Sequence, residues 1–378
     1  MDDFKPFLQI VHISDLHVID PISIDAAAVR GWIRRLRRIP TGIAGWSADW
    51  ISDGTAPHDP LAGTLFAEFL TVLTSDPIWA AHKTWLVDTG DLTTLGDDNS
   101  FNLGRNYVEE FRRVCPAFGS TYGNHDAWPR KLPLFAASAA IKGQTQVLSA
   151  HGFAVASPKQ SLSMEIPHGA GQVQLYFADS VIHDRWRNTL ALGEVPRSQL
   201  DALQSLVDKH FLPGRHDFRI LAIHHPVHYP PPRPSQQMVL RNDQKVAEVL
   251  DTTSPAGAYP LVHLVLSGHT HYLYPSHGKL PLQPHLCNHL PLGRSQCQLV
   301  VGTLMQLDRD EKRHSWPHQC QILRLYYSMA EPSVLSVERL LVARQAGEDY
   351  RGTGIGPYKF VPVPPSHEQF TEEITFPV

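Results

Sequence analysis

The sequence has no run approaching the ~18 consecutive apolar residues that would suggest a membrane span, so no spanning segment is expected. It has little net charge: 33 Lys+Arg against 37 Asp+Glu give a formal charge of -4, which offers no whole-chain attraction to a nucleic-acid backbone. No dedicated nucleic-acid binding is therefore expected. Cysteine is sparse at four, and Cys115, Cys287, Cys297 and Cys320 lack paired C-x-x-C spacing, so free, mostly buried thiols are expected rather than a disulfide framework. The opening MDDFKPFLQIVHIS carries acids before its first apolar run and lacks a basic n-region or a cleavage site. A cytoplasmic enzyme is the expectation.

Histidine is the abundant residue, at 22. Neutral imidazole is the commonest transition-metal ligand, but only if the fold aims several rings at one point. The organisation of the chain supplies such points. Short apolar, β-branched runs recur at Phe7 to Ile13, Thr84 to Val87, Ala117 to Tyr122, Val173 to Ala178, Phe218 to Ile223 and Leu261 to Leu266, each stopping at polar residues. Helical patterns lie between them: Leu65, Phe69, Val72 and Leu73 before the second run, and Leu200, Leu203, Leu206 and Val207 after Pro196, with Ser198 as expected N-cap. Alternation of this kind predicts a layered α/β domain. Farther on, Gln298 to Thr303, Gln319 to Tyr327 and Val334 to Leu341 read as strands able to pair antiparallel.

In such folds the chemistry collects beyond the carboxyl ends of strands, where loops converge over a rigid sheet. Each expected strand end here is polar in a suggestive way. The first gives Ser14-Asp15-Leu16-His17, the second Gly90-Asp91, and the third Gly123-Asn124-His125-Asp126. The fifth gives His224-His225-Pro226 and the sixth Gly268-His269-Thr270-His271. Asp15 and His17, like His269 and His271, stand two apart, a spacing that aligns side chains on an extended segment. A pair of divalent ions needs about four ligands each and a bridging carboxylate, and this set of imidazoles, carboxylates and one amide oxygen suffices.

In that order, D-x-H, G-D, G-N-H-D, H-x-P and G-H-x-H resemble the calcineurin-like metallophosphoesterase superfamily, spanning roughly residues 7 to 272. The resemblance implies a four-layer α/β/β/α sandwich of mixed sheets. It implies one metal on Asp15, His17, Asp91 and His271, and a second on Asp91, Asn124, His224 and His269, with Asp91 bridging. His225 would not be a ligand, because the family's histidine stands two positions before the proline. The implied cofactors are two divalent or mixed-valence transition-metal ions, with Mn, Fe or Zn foremost and Co or Ni also suited to mixed N/O ligands. Purple acid phosphatases carry a tyrosine three residues after the G-D aspartate, where this chain has Thr94, so a tyrosinate-iron centre is not expected.

The implied reaction is hydrolysis of a phosphate ester by in-line attack of a hydroxide shared by the ions, with His125 as general acid and Asp126 orienting it. A phosphodiesterase is preferred, because the H-H-P form resembles bacterial cyclic-nucleotide and glycerophosphodiester phosphodiesterases. A phosphomonoesterase or a nuclease on the same centre, or a non-catalytic metal-binding scaffold, are the alternatives. His228, Tyr229 and Arg185 are candidate contacts for the small phosphate-ester substrate. The expected boundaries are a catalytic domain over 1–344, with a helical insertion at 21–60 and strands within 275–344 completing the second sheet, then an extended tail over 345–378. The insertion's Arg30, Arg34, Arg35, Arg37 and Arg38 suit either an anion-binding lid or a solvated helix face.

Overall fold

A computed structural model describes residues 3–20, 58–94, 96–127, 159–167, 171–181, 192–215, 217–228, 239–251, 260–270, 288–289, 297–305, 318–331, 334–344, 360–362 and 371–377. The elements in chain order are β1 (Phe4–Ile13), α1 (Pro60–Thr74), β2 (Thr84–Asp88), α2 (Asp98–Val114), β3 (Ala117–Ser120), β4 (Lys159–Glu165) and β5 (Gln172–Ala178). They continue as α3 (Arg197–His210), β6 (Phe218–Ile223), α4 (Asp243–Leu250), β7 (Leu264–Ser267), β8 (Asn288–His289), β9 (Cys297–Val300), β10 (Gln319–Ser328), β11 (Val334–Arg344), β12 (Phe360–Pro362) and β13 (Thr371–Pro377).

Two mixed sheets result. One runs β12-β11-β10-β1-β2-β3, with β13 also on β11; the other runs β4-β5-β6-β7-β9-β8. β1, β2 and β3 are mutually parallel, as are β5, β6, β7 and β9. Their carboxyl ends therefore point the same way within each sheet, which gathers the strand-end motifs.

Side-chain alternation along the strands divides the apolar residues among three cores. On β2, Trp85 and Val87 face the second sheet's Leu175, Ile220 and Leu264, while Leu86 faces α1 and α2 through Phe66 and Phe111. On β5 and β6, Tyr176, Leu221 and Ile223 turn instead toward Leu200, Leu203 and Val207 of α3 and Val246 and Leu250 of α4. The result is a mixed α/β fold of two mixed sheets with helices packed against them.

Several local expectations change. In α1, Leu65, Phe69 and Leu73 pack part-buried against the first core as expected, the buried side chains are Ala62, Phe66, Ala67 and Leu70, and Val72 departs at 71% exposed. Gly63 lets the helix approach Tyr107 and Met305 so closely that a Cβ would sit 2.7 Å from the tyrosine ring. α3 begins at Arg197 with Pro196 as N-cap and no side-chain cap bond, so Ser198 is not the cap. Helix α2 had not been anticipated; its N-cap Asp97 accepts from the Asn99 and Ser100 amides.

The C-terminal strands divide between the sheets: β9 joins β7, whereas β10 and β11 extend the first sheet beyond β1. From the tail, β12 and β13 both pair antiparallel with β11. Cys115 and Cys320 are free and buried, while Cys297 is disulfide-bonded, unlike the free thiol expected. Among the described residues no helix is long and apolar enough to cross a membrane.

Ile220 lies at 0% exposure between the two sheets. Ile220→Ala is expected to remove about 2–5 kcal/mol of stability, read as a lower urea midpoint at unchanged slope. Val72→Ala should stay within about 0.5 kcal/mol of wild type.

Candidate metal centre

The first sheet brings two motifs together by continuing its parallel ladder past the strand ends. Thr89 N–H donates to the Ile13 carbonyl (3.0 Å), Asp15 N–H to Gly90 O (2.9 Å) and His17 N–H to Asp91 O (2.9 Å). The backbone there is not extended. Asp15, His17, Asp91 and His269 all occupy the left-handed region, at φ 54°, 51°, 54° and 70°. Asp15 and His17 therefore converge through left-handed turns, not through the two-residue period of a strand as their spacing predicted. Non-glycine residues at such φ cost on the order of 1–3 kcal/mol each and persist only where the surroundings over-determine them. Among the described non-glycine residues only one other, His318, shares this conformation, and its Nδ1 is bonded to the Leu304 carbonyl.

Two close approaches seat the loops. A Cβ on Gly123 would lie 2.0 Å from Asp91 Oδ1, and one on Gly268 would lie 1.8 Å from Ser14 Oγ. Only glycine lets these backbones pass so near the Asp91 and Ser14 side chains.

The side chains meet around Asp91, which is fully buried. Its Oδ1 accepts from the His125 amide at 2.7 Å, which turns Oδ2 inward. Oδ2 receives no hydrogen bond and lies 3.3 Å from His224 Nε2 and 3.7 Å from His17 Nε2. His17 Nε2 is also 3.6 Å from Asp15 Oδ1. His224 Nε2 is 3.0 Å from Asn124 Oδ1 and 3.1 Å from His269 Nδ1. The opposite nitrogen, His224 Nδ1, sits 2.8 Å from the Thr89 carbonyl. A carbonyl can only accept, so Nδ1 carries the proton and, in the neutral ring, Nε2 presents a lone pair to the cluster.

Six nitrogen and oxygen atoms able to donate electron pairs thus converge around Asp91, and such a set fits a cation. His17, Asp91 and His125 form one group able to hold an ion, and Asp91, His224 and His269 form another, with Asp91 common to both. The charges agree. Burial pushes the Asp91 carboxyl up, but His224, His125 and His17 outweigh it and hold it well below the usual range. Burial lowers His224, yet Asp91 and Asp15 bring it up to about 9, so a proton is the smallest cation that answers the cluster's demand. For His269, burial and then the neighbouring His225 and His224 press its imidazole down toward the neutral, ligating form.

Around this cluster the expected residues divide. His125 is buried but for 6%, and its Nδ1 lies 2.9 Å from the Thr94 carbonyl. Asp126 bonds to the surrounding loops. Its carboxylate accepts from the amides of Leu92, Thr93 and Gly123 and from the Thr93 hydroxyl, at 2.8–3.2 Å. These four donors let it lock the G-D and G-N-H-D loops together. Burial and then the Asp91 charge lift this carboxyl to about 7, against those amides.

His225 is turned toward Ser180, whose hydroxyl lies 2.8 Å from its Nδ1. His228 is held through its backbone by Gln298. His271, Tyr229, Arg185 and the arginines from Arg30 to Arg38 lie outside the described residues.

Sequence reasoning missed the supports. Thr89 receives the His224 ring, and Thr94 donates to the His17 carbonyl at 2.6 Å while receiving His125. Asp88 accepts from Gly90 N–H (3.1 Å) and Ser120 Oγ (2.9 Å) and is pushed well up by burial. No pattern of residue type marks these positions; their roles rest on backbone carbonyls and turn geometry.

Comparison with known proteins places the chain. Residues 8–273 match the calcineurin-like phosphoesterase family, and the chain belongs to it. No curated protein matches the sequence. Among solved structures, the sulfate thiohydrolase SoxB of Thermus thermophilus, in complex with glycerol, is 13% identical with a TM-score of 0.40, covering 97% of this chain and 58% of its own. This chain thus spans little more than half of that protein's length. GAP50, the anchor in the inner membrane complex of Plasmodium, is 10% identical with a TM-score of 0.45, covering 98% and 90%. PhoD is 8% identical with a TM-score of 0.46, covering 94% and 68%.

Asp91→Ala is expected to lower the metal content of manganese-reconstituted, desalted protein from two ions per chain to one or none by elemental analysis. Two ions retained would remove Asp91 from the bridging position. Gly123→Ala should lower it as well, because its methyl displaces the Asp91 carboxylate.

Proposed function

We propose that this protein hydrolyses phosphate esters, preferring diesters, at a centre where Asp15, His17, Asp91 and His271 hold one metal ion and Asp91, Asn124, His224 and His269 a second. The single observation that supports this most is Asp91 Oδ2, which stands 3.7 Å from His17 Nε2 and 3.3 Å from His224 Nε2, between the two groups. Manganese, iron and zinc all suit imidazole and carboxylate donors. Such ions, when bound, lower the pKa of water and neutralise phosphoryl oxygens.

The chain's own residues do the rest. His125 acts as the general acid. Its Nδ1 faces the Thr94 carbonyl at 2.9 Å, and its Nε2 is proposed to deliver the proton to the departing oxygen. His17 packs edge-on against the His125 ring, with centroids 4.7 Å apart, and limits its rotation. Thr94 thereby couples the acid to a ligand, since the same residue holds the His17 carbonyl. Asp126 is a positioning residue for the loops that carry Asp91 and Asn124. His228, Tyr229 and Arg185 are proposed to contact the organic part of the ester, a role in keeping with their place after the strand ends that carry Asp179 and His224.

The test is hydrolysis by metal-reconstituted protein of bis-nitrophenyl phosphate, nitrophenyl phosphate and single-stranded DNA. Fastest turnover on the diester is expected; faster turnover of the monoester or the DNA would reassign the substrate, and no turnover on a broad ester panel would favour a scaffold.

His125→Ala should keep both metals and lose roughly 10²–10⁴-fold in kcat on an alkyl ester, whose leaving alkoxide needs a proton. A nitrophenyl ester needs none, so its loss should be far smaller. Equal losses on both esters would remove His125 from the acid role.

A further inference from the structure

The core between the sheets ends, on the side of the metal centre, in a layer of polar residues. On β11 the inward stripe runs Leu335, Val337, Arg339; on β10 it runs Leu325, Leu323, Gln321. On β1 it runs Leu8, Ile10, His12, and on β2 it runs Trp85, Val87 and then Thr89 just past the strand end. Each strand places its polar residue where the next apolar one was due. Arg339 is 1% exposed and Gln321, His12 and Thr89 are 0% exposed. Burying these groups is unfavourable unless all are bonded, and an apolar layer would pack as well.

They are bonded in one direction. Arg339 Nε donates to Gln321 Oε1 at 2.6 Å, and its Nη2 donates to the Val300 carbonyl across the sheets at 3.2 Å. A guanidinium only donates, so it fixes which end of the Gln321 amide is oxygen. Gln321 Nε2 must then donate to His12 Nδ1. His12 is neutral, since burial and then the Arg339 charge hold its imidazole down to about 3. With Nδ1 accepting, its proton is on Nε2 and is donated to Thr89 Oγ1 at 3.0 Å. The Thr89 hydroxyl and amide both point to the Ile13 carbonyl, at 3.4 and 3.0 Å. The one group Thr89 has left is its carbonyl, which faces His224 Nδ1 at 2.8 Å.

We propose that Arg339, Gln321 and His12 are positioning residues which, through Thr89, hold the His224 ring with Nε2 presented to the metal. The inference rests on the dinuclear reading above and deepens it. A carbonyl behind a metal-binding imidazole fixes its tautomer and orientation, and loss of such a partner typically weakens metal binding about 10- to 100-fold. The network touches His224 and neither Asp15 nor His17 through the bonds described, so it should act on one ion of the two.

The test is metal affinity. Wild type, His12→Phe, His12→Gln and Thr89→Val are titrated with manganese and free ion is read by electron paramagnetic resonance, alongside urea unfolding of the metal-free proteins. His12→Phe is expected to weaken one of the two sites roughly 10- to 100-fold while the other stays within about twofold. His12→Gln, which can still accept from Gln321 and donate to Thr89, should restore most of the loss. Equal weakening of both sites, or unchanged affinities in His12→Phe, overturns the proposal. Should His12→Phe fail to fold by circular dichroism, Thr89→Val decides: selective weakening of one site supports the proposal and unchanged binding overturns it. Wild-type protein that binds fewer than two ions sinks the dinuclear reading instead, so the two failures are distinguishable.

Discussion

The constraint on which the structure turns is the convergence of buried electron-pair donors around Asp91 Oδ2. His224 Nε2, His17 Nε2, Asn124 Oδ1 and His269 Nδ1 crowd one dry region, and an oxygen with no hydrogen-bond donor stands among them. Like lone pairs repel, and burial removes the water that would otherwise separate them. A cation resolves the conflict. The same electrostatics that hold Asp91 ionised and lift His224 to about 9 favour a cation at this site.

Holding that arrangement has a structural consequence. Four of the expected ligands occupy left-handed backbone, and each is pinned by bonds that continue the sheet or cross between loops. Asp15 shows the pattern. Its amide bonds to Gly90, its carbonyl accepts from the Thr303 hydroxyl at 2.6 Å, and its Oδ2 takes the His269 amide at 3.0 Å. Strain of this kind is stored at functional sites because rigid sheets on both sides prevent it from relaxing. The Asp126 carboxylate and the close-packed Gly123 and Gly268 belong to the same bracing.

Much of this was legible in the sequence, for identifiable reasons. Buried parallel strands leave apolar runs with abrupt polar ends, so β1, β2, β5 and β6 and the motifs after them could be read directly. Asp15, His17, Asp91, Asn124, His224 and His269 came from order and placement, and the fold brings them together. What escaped depends on three-dimensional partners. The close packing of Gly63 on Tyr107 and the Asp126 carboxylate's bonds to the backbone amides of Leu92, Thr93 and Gly123 are both of this kind. The allegiance of β10 and β11 to the first sheet could not be read from their alternation, which is the same in either sheet. Backbone carbonyls such as those of Thr89 and Thr94 carry no signature in residue type at all.

The central claim, that Asp91 bridges two ions, is tested most directly by anomalous diffraction from crystals of the protein loaded with manganese. Two anomalous peaks roughly 3.5–4 Å apart, flanking Asp91 Oδ2, are the expected result. One peak alone, or two that share no contact with Asp91, would contradict it.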